Sequence, residues 1–227
     1  LGARHRTELE TERLLTTPRH YAYLKISEGC NWKCGYCAIP LIRGPHVSVP
    51  METLLEEARK LAARGVREIM VIAQDTTYYG IDLYGRRRLA ELLTALCRID
   101  DIEWIRLHYA YPTAFPDDVI DVMASEPKIC KYLDIPFQHI SDRMLTAMKR
   151  RHTKADALAL IERLRERIPD IALRTTLLVG YPTETEQDMQ ELEQFVRDVR
   201  FDRLGVFAYS EEEGTYSARE LRDDVPE

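Results

Sequence analysis

Short apolar runs alternate along the chain with longer segments in which apolar residues recur at helical spacing. The apolar runs cover residues 21–26, 68–73, 103–109, 132–137, 171–180 and 203–209. The helical patterns between them cover residues 51–64, 86–98, 116–125, 141–149, 154–167 and 184–199. This alternation predicts βαβ units and a parallel sheet. Because a closed barrel needs eight units and only six occur, the expected fold is α/β, an open, partial TIM-like (βα)6 barrel.

Composition narrows the class of protein. Residues 1–20 are polar and mixed in charge and predict an arm or linker, and residues 21–227 predict one domain without a break. No run of eighteen apolar residues and no signal peptide is visible, which argues against a membrane role. Five cysteines, an odd number with three clustered, favour a reducing compartment, so a cytoplasmic protein is expected. A net charge of -6 gives no general reason to expect nucleic acid binding.

Three cysteines close together carry the clearest chemical signal. Cys30, Cys34 and Cys37 have the spacing C-x3-C-x2-C between a strand-like run and a helix-like one. Soft thiolates suit an iron–sulfur cluster, and three of them leave one iron open to a small ligand. Spacing alone leaves two alternatives open: a zinc site completed by His46, or a redox pair of Cys34 and Cys37. The other two cysteines, Cys97 and Cys130, are interpreted as structural.

Polar residues and glycines follow every predicted strand. In folds of this kind the functional groups lie beyond the carboxyl ends of the strands, so one site ringed by six loops is expected. For most of these residues, ordinary strand-end turn chemistry is the alternative. The residues at the exits are Cys30, Gln74, Asp75, His108, Tyr109, Gln138, His139, Gly180, Tyr181, Pro182, Tyr209, Ser210 and Glu211.

Three cations are expected to face the inside of the partial barrel. Strand alternation places Lys25, Arg106 and Arg174 on that face. Buried cations need acidic partners, and the carboxylate of a substrate or cofactor would serve. The alternative is that they pair with Asp134, Glu28 or Glu103 of the chain itself, or extend their charged ends to solvent.

The motifs together resemble a known family. The stretches YAYLKISEGCNWKCGYCAIPLIRG, IAQDTTYYGIDLYG, YLDIPFQHISDRMLTAMKRRHT, LRTTLLVGYPTETEQD and GVFAYSEEEGTYSA resemble radical S-adenosylmethionine (SAM) methylthiotransferases along nearly the entire chain. QDTTYYGIDLYG and PFQHISD resemble the branch that modifies a ribosomal protein. The cysteine spacing alone is typical only of the superfamily.

The resemblance implies a radical SAM barrel in which the three cysteines hold a [4Fe-4S] cluster that binds and cleaves SAM. Its implied substrate is the β-carbon of an aspartate in small-subunit ribosomal protein twelve. A flavodoxin or ferredoxin is the expected reductant. A tRNA-adenosine methylthiotransferase is the alternative within the family, and a zinc-stabilised binding module is the alternative outside it.

Candidate site residues follow from these positions. Those expected at the cofactor are Tyr36, Gln74, Arg174, Gly180 and Tyr181. Those expected in catalysis or substrate binding are Lys25, Asp75, Arg106, His108, Gln138, His139 and Tyr209. The basic runs 86–88 and 149–152 are interpreted as solvated faces, with contact to ribosomal RNA as the alternative.

The family also has flanking domains. The resemblance implies an N-terminal domain with a second [4Fe-4S] cluster and a C-terminal TRAM domain, and neither has a counterpart in these residues. We therefore expect the central catalytic domain alone, able to bind one cluster and cleave SAM but unable to complete methylthiolation unaided.

Overall fold

A computed structural model of the protein describes residues 14–225 and contains a six-stranded sheet in the order β1-β4-β5-β6-β7-β8. The strands of this sheet are β1 (Tyr21–Lys25), β4 (Glu68–Ile72), β5 (Trp104–Leu107), β6 (Ile129–Asp134), β7 (Ala172–Val179) and β8 (Arg203–Ala208). Two short strands, β2 (Ser27–Glu28) and β3 (Val47–Ser48), form a separate antiparallel pair. Most of the predicted arm, residues 1–13, lies outside the described residues.

Every neighbouring pair in the large sheet is parallel, and spatial order follows chain order. Strands β1 and β8 are its two edges. This arrangement, six βα units winding in one direction without closing, confirms the predicted open, partial barrel.

Helices follow the strands and cover one face of the sheet. They are α1 (Ile39–Arg43), α2 (Met51–Ala63), α3 (Ile81–Tyr84), α4 (Leu89–Cys97), α5 (Asp117–Ser125), α6 (Asp142–Ala147), α7 (Lys154–Arg167), α8 (Glu186–Val199) and α9 (Tyr216–Glu220). Helices α7 and α8 each begin with a capping box, formed by Thr153 with Asp156 and by Thr185 with Asp188. In both, the threonine and the acid satisfy backbone N–H groups that the first turn leaves unpaired.

Strand alternation decides which side chains reach the core. On the first strand Ala22, Leu24 and Ile26 are fully buried against the helices, whereas Tyr23 and Lys25 point to the inner face. The inner face therefore keeps the polar and charged residues that the sequence pattern placed there.

Strand β6 lies further toward the N-terminus than predicted, at 129–134 rather than 132–137. Lys131 lies inside the strand, and its ammonium group donates to the carbonyls of Met123, Ala124 and Glu126 at the end of α5. A lysine that satisfies the unpaired carbonyls of a helix end fits in a strand at low cost.

Several short elements were not predicted: α1, α3, α9 and the β2–β3 pair, all of five residues or fewer. Such short segments carry too little periodicity to be recognised from the sequence. Among the described residues, no helix combines the length and apolarity that a membrane crossing requires.

Candidate functional site

A cavity of about 360 Å³ opens at the carboxyl ends of the strands and is lined by all three clustered cysteines. Most of its surface is apolar or aromatic, and no carboxylate lines it. The other lining residues are Lys25, Trp32, Tyr36, Ile39, Ile72, Ala73, Gln74, Tyr109, Ala110, Tyr111, Pro136, Gln138 and Arg150. Four of the residues proposed from the sequence beside the cysteines, Lys25, Tyr36, Gln74 and Gln138, therefore lie here.

Backbone hydrogen bonds from distant segments anchor the cysteine loop. The N–H of Gly35 donates to the Met148 carbonyl at 2.8 Å, and the Gly35 carbonyl accepts from the N–H of Ser217 at 2.9 Å. The N–H of Cys30 donates to the Gly44 carbonyl at 3.1 Å. These bonds give the loop a defined shape before any cofactor binds.

Asp75 is a buried anchor of this loop rather than a lining group. Its carboxylate accepts from the indole N–H of Trp32 at 2.7 Å and from the backbone and hydroxyl of Thr77 at 2.9 and 2.7 Å. Asp75 is 1 % exposed. The strand-end turn role, which was the alternative interpretation of this residue, accounts for the contacts to Thr77, whereas the bond from Trp32 ties the cysteine loop to this strand exit.

The thiols fit an iron–sulfur cluster better than a single zinc ion. Among residues 14–225, no three His, Cys, Asp or Glu side chains converge as ligands of one ion. His46 does not line the cavity, and its Nε2 lies 3.1 Å from the hydroxyl of Ser48. Three soft donors around one open cavity, without a carboxylate, are the donor set of an iron–sulfur site.

Burial keeps two of the thiols neutral. It raises the pKa of Cys30 to about 12 and also raises the pKa of Cys37. Both are therefore protonated at neutral pH until a bound metal favours the thiolate, so metal uptake by this site releases protons.

A small polar network borders the cavity. Lys25 forms an ion pair with Glu28, and the side-chain amide of Gln74 donates to the same carboxylate at 2.7 Å. Burial alone would raise the pKa of Glu28, but the hydrogen bonds from Lys25 and Gln74 outweigh it and hold the pKa below its ordinary value. Lys25 thus has one of the acidic partners considered from the sequence.

The other two inward-facing cations are also paired, and neither lines the cavity. Arg174 Nη1 lies 2.7 Å from Asp134, as the alternative interpretation had it, whereas Arg106 Nε lies 2.7 Å from Glu68 on the neighbouring strand rather than from Glu103. The Nδ1 of His108, which directly follows β5, lies 3.9 Å from the same Asp134 carboxylate.

His139 and Gly180 share one buried partner. The Nδ1 of His139 accepts from the backbone N–H groups of Ile140 and Ser141 at 2.8 and 3.0 Å, so its Nε2 donates to Glu184 at 2.9 Å. The N–H of Gly180 donates to the other oxygen of Glu184 at 2.5 Å. His139 is fully buried and holds the strand-end loops together, away from the cavity.

Three tyrosines proposed from the sequence meet beside the cysteine loop. The ring of Tyr181 contacts Tyr36 edge-on at 6.5 Å between centroids and Tyr209 at 5.3 Å. They pack with Met144 and Met148 in a small apolar cluster separate from the main core. Of the three tyrosines, Tyr36 alone reaches the cavity.

Two lining residues have strained backbone. Tyr109 and Gln138, each at a strand exit, have φ of 62° and 71°. A non-glycine residue in this region costs about 1–2 kcal/mol and occurs most often where a site needs it. The backbone of Gln138 is held by hydrogen bonds on both sides, its N–H to Thr176 and its carbonyl from Leu178.

The sequence interpretation missed Trp32, Tyr111 and Arg150 as lining residues. The solvated face proposed for residues 149–152 is wrong at two positions, since Arg150 and His152 are 8 % and 5 % exposed. Both side chains pack among the aromatic rings behind the cysteine loop. For Trp32 the available signal was its position between Cys30 and Cys34.

The sequence profile described as the Radical SAM superfamily matches residues 24–196, a span that contains all three cysteines of the cavity. The chain belongs to the radical SAM superfamily.

Curated relatives of this radical SAM chain are named "Ribosomal protein uS12 methylthiotransferase RimO". The protein of Porphyromonas gingivalis is 59 % identical over 227 residues, which are 100 % of this chain and 52 % of the relative. The protein of Flavobacterium johnsoniae is 58 % identical over 227 residues, again 100 % of this chain and 52 % of the relative. The chain thus spans about half the length of the curated relatives it matches.

Solved structures of similar fold are also radical SAM proteins. The radical S-adenosylmethionine methyltransferase TsrM of Kitasatospora setae, with cobalamin and a [4Fe-4S] cluster bound, has a TM-score of 0.72 at 18 % identity and covers 88 % of this chain and 39 % of its own. Coproporphyrinogen III oxidase of Escherichia coli has a TM-score of 0.64 at 19 % identity, covering 91 % and 48 %. At these identities the likeness establishes the fold of the radical SAM barrel.

Proposed function

We propose that this chain is the catalytic core of a radical SAM methylthiotransferase that modifies ribosomal protein uS12. The observation that carries the proposal is the cavity whose wall holds the three thiols of the C-x3-C-x2-C motif. Identity of 59 % across the whole chain to proteins named for uS12 methylthiolation supports the substrate. Residues 21–227 would form the catalytic domain.

Cys30, Cys34 and Cys37 would hold a [4Fe-4S] cluster, and SAM would occupy the remaining cavity. A cluster bound in this way supplies the electron for reductive cleavage of SAM, the chemistry of the superfamily. The lining residues would perform the binding: Gln74 and Gln138 would present amide groups, Tyr109 would present its ring, and the apolar wall would exclude water. A cavity of about 360 Å³ is in the range of small-molecule sites.

The radical step is tested by anaerobic reconstitution with iron and sulfide, followed by dithionite and SAM and an assay for 5′-deoxyadenosine. We expect the product to form with the wild-type chain and with Cys130→Ala, whose thiol is outside the cavity, and to be lost with Cys34→Ala. Binding of a single zinc ion and no iron would instead support a zinc-stabilised binding module.

The substrate is tested with the natural protein that contains this sequence. SAM labelled in its methyl group, supplied with ribosomes or with tRNA, is expected to label uS12 and not the nucleic acid. Labelling of tRNA alone would indicate the tRNA-adenosine branch. A flavodoxin or ferredoxin is the proposed physiological reductant, and replacing dithionite with each of these proteins in the deoxyadenosine assay tests it.

A further inference from the structure

The guanidinium group of Arg150 is a buried cation that contacts a cysteine of the cavity. Its Nη1 lies 3.5 Å from the Sγ of Cys34 and 3.3 Å from the hydroxyl of Tyr36. Its Nη2 donates to the Pro136 carbonyl at 2.6 Å, and its Cζ lies 4.2 Å from the centroid of the Tyr111 ring. The side chain therefore has one well-defined position.

No carboxylate neutralises this charge. Among the residues that the structure describes, Arg150 forms no ion pair, and its Nε has no hydrogen-bond partner. Arginine remains charged in proteins, and a buried charge without a counter-ion is costly. The neighbouring cations Arg106 and Arg174, by contrast, each have an acidic partner within 2.7 Å. Among the described residues, the environment of Arg150 holds no carboxylate, and the sulfur of Cys34 is one of the groups that its guanidinium faces, beside the Tyr36 hydroxyl and the Pro136 carbonyl.

Two aromatic rings fix the cation from behind. Tyr111 lies between Arg150 on one face and Trp32 on the other, with the two rings stacked at 4.2 Å. The hydroxyl of Tyr111 also lies 3.8 Å from the Sγ of Cys34. A cation held on a ring face in a water-poor site keeps its charge close to the sulfur rather than turning to solvent.

We propose that Arg150 is a positioning residue whose charge is held against the Cys34 sulfur and raises the reduction potential of a cluster bound there. The inference rests on the proposed function, because it takes Cys34 as a cluster ligand. Reduction adds negative charge to a group already surrounded by thiolates, and a nearby cation stabilises the reduced form more than the oxidised form. Arg150 would thus make the site easier to reduce.

The test is a potentiometric titration of the reconstituted chain, followed by the electron paramagnetic resonance signal of the reduced cluster. Arg150→Met removes the charge and keeps an unbranched chain, and Arg150→Lys keeps the charge without the planar group. We expect full iron content in each, and in Arg150→Met a reduction equilibrium about tenfold less favourable, which is ~59 mV lower for one electron. Arg150→Lys is expected to retain most of the wild-type potential.

Arg151→Met is the matched control. Arg151 is the adjacent residue, is exposed, and lies at 6.0 Å on the outer face of Trp32, away from Cys34. Arg151→Met removes the same net charge from the chain as Arg150→Met. It is expected to change the reduction equilibrium less than about twofold, because solvent screens the exposed charge of Arg151.

The outcomes separate the two proposals. A wild-type chain that takes up no iron contradicts the proposed function, whereas a fully loaded Arg150→Met protein with unchanged potential contradicts this inference alone. The inference is also overturned if the reduction potential falls as far in Arg150→Lys as in Arg150→Met, since the charge of the side chain would then not be the cause. If Arg150→Met and Arg150→Gln both fail to bind iron, retention of iron by Arg150→Lys supports the role of the charge, and its loss there refutes it.

Discussion

The indole of Trp32 stacks on the phenol ring of Tyr111, with centroids 4.2 Å apart and planes 9° from parallel. Trp32 lies within the cysteine loop, and Tyr111 follows strand β5. The same indole donates to the buried carboxylate of Asp75, which follows strand β4. One side chain of the cysteine loop thereby joins the exits of two strands and shapes the wall of the cavity.

Trp32→Phe is expected to destabilise the fold. It keeps an aromatic ring on Tyr111 but leaves an oxygen of the buried Asp75 carboxylate without its donor, a loss worth about 1–3 kcal/mol in the free energy of unfolding. Urea denaturation measures it. Trp104→Phe, at an exposed tryptophan, is the control and is expected to change stability by less than about 0.5 kcal/mol. Equal stability of both variants would show that the indole hydrogen bond contributes nothing.

Gly29→Ala is expected to disrupt the cysteine loop. Gly29 has a φ of +78°, and a Cβ there would lie 2.1 Å from the backbone oxygen of Pro45. Gly85→Ala is the matched control, since Gly85 has a similar φ of +70° but open space around the position of the Cβ. Gly85→Ala is expected to lower the free energy of unfolding by about 1 kcal/mol because of backbone strain. Gly29→Ala is expected to lower it by about 1–3 kcal/mol more because of the clash.

Iron content after reconstitution gives a second measurement for the same pair. We expect Gly29→Ala to bind less than half of the wild-type iron, because the residue directly precedes Cys30, and Gly85→Ala to bind all of it. Wild-type iron content in Gly29→Ala would mean that the loop shifts without loss of its ligands.

Stability is expected to fall as the pH drops from about 6.5 to about 4 because of His152. Burial, assisted by the charge of Arg150, lowers the pKa of His152 to about 4, and neither ring nitrogen has a hydrogen-bond partner among the described residues. In this window the unfolded chain binds a proton that the folded chain does not, so folding loses up to about 3 kcal/mol relative to pH 7. Above pH 6.5, His152 is neutral in both states and does not make the free energy of unfolding depend on pH.

Urea denaturation at pH 7 and at pH 5 measures this dependence. In His152→Phe the slope between the two pH values is expected to shrink, whereas in the control His20→Phe, at an exposed histidine, it is expected to remain. An unchanged slope in His152→Phe would assign the acid sensitivity to other groups.

Lys25→Met is expected to weaken SAM binding to the reconstituted chain about fivefold, or about 1 kcal/mol. Lys25 lines the cavity, whereas Arg106 and Arg174 do not. Equilibrium dialysis with labelled SAM measures the dissociation constant, and Arg106→Met, expected to bind as wild type, is the control. Unchanged affinity in the Lys25, Arg106 and Arg174 variants would contradict the hypothesis that one of these cations binds the cofactor carboxylate.

The order of helices and strands was readable from the sequence because each depends on a local period of burial. Ala22, Leu24 and Ile26 alternate with polar residues, and the same alternation marks β5 and β7. Helix α8 likewise begins at Glu186, two residues after the start of the predicted pattern 184–199. The short helices α1, α3 and α9 and the two-residue strands β2 and β3 were not predicted, because so few side chains define no period.

The cysteine motif could also be found from the sequence, because its three thiols lie within eight residues of one loop and must share one region of space. Gln74 and Gln138, predicted at strand exits, and Lys25, predicted on the inner face of the first strand, do line the cavity. The sequence did not distinguish the two glutamines from Asp75 and His139, which lie at the same kind of exit but are buried among hydrogen-bond partners.

The sequence by itself thus determined the partial barrel, the position of the site at the carboxyl ends of the strands and the three thiols that line it. Only the tertiary structure decided which side chains surround those thiols. Arg150 and Cys34 are 116 residues apart, and Arg150 stands in a run of basic residues that resembles any solvated surface. Its burial depends on the rings of Tyr111 and Trp32, which arrive from two other loops. Contacts of this kind arise from packing between distant segments, and no local pattern of polarity records them.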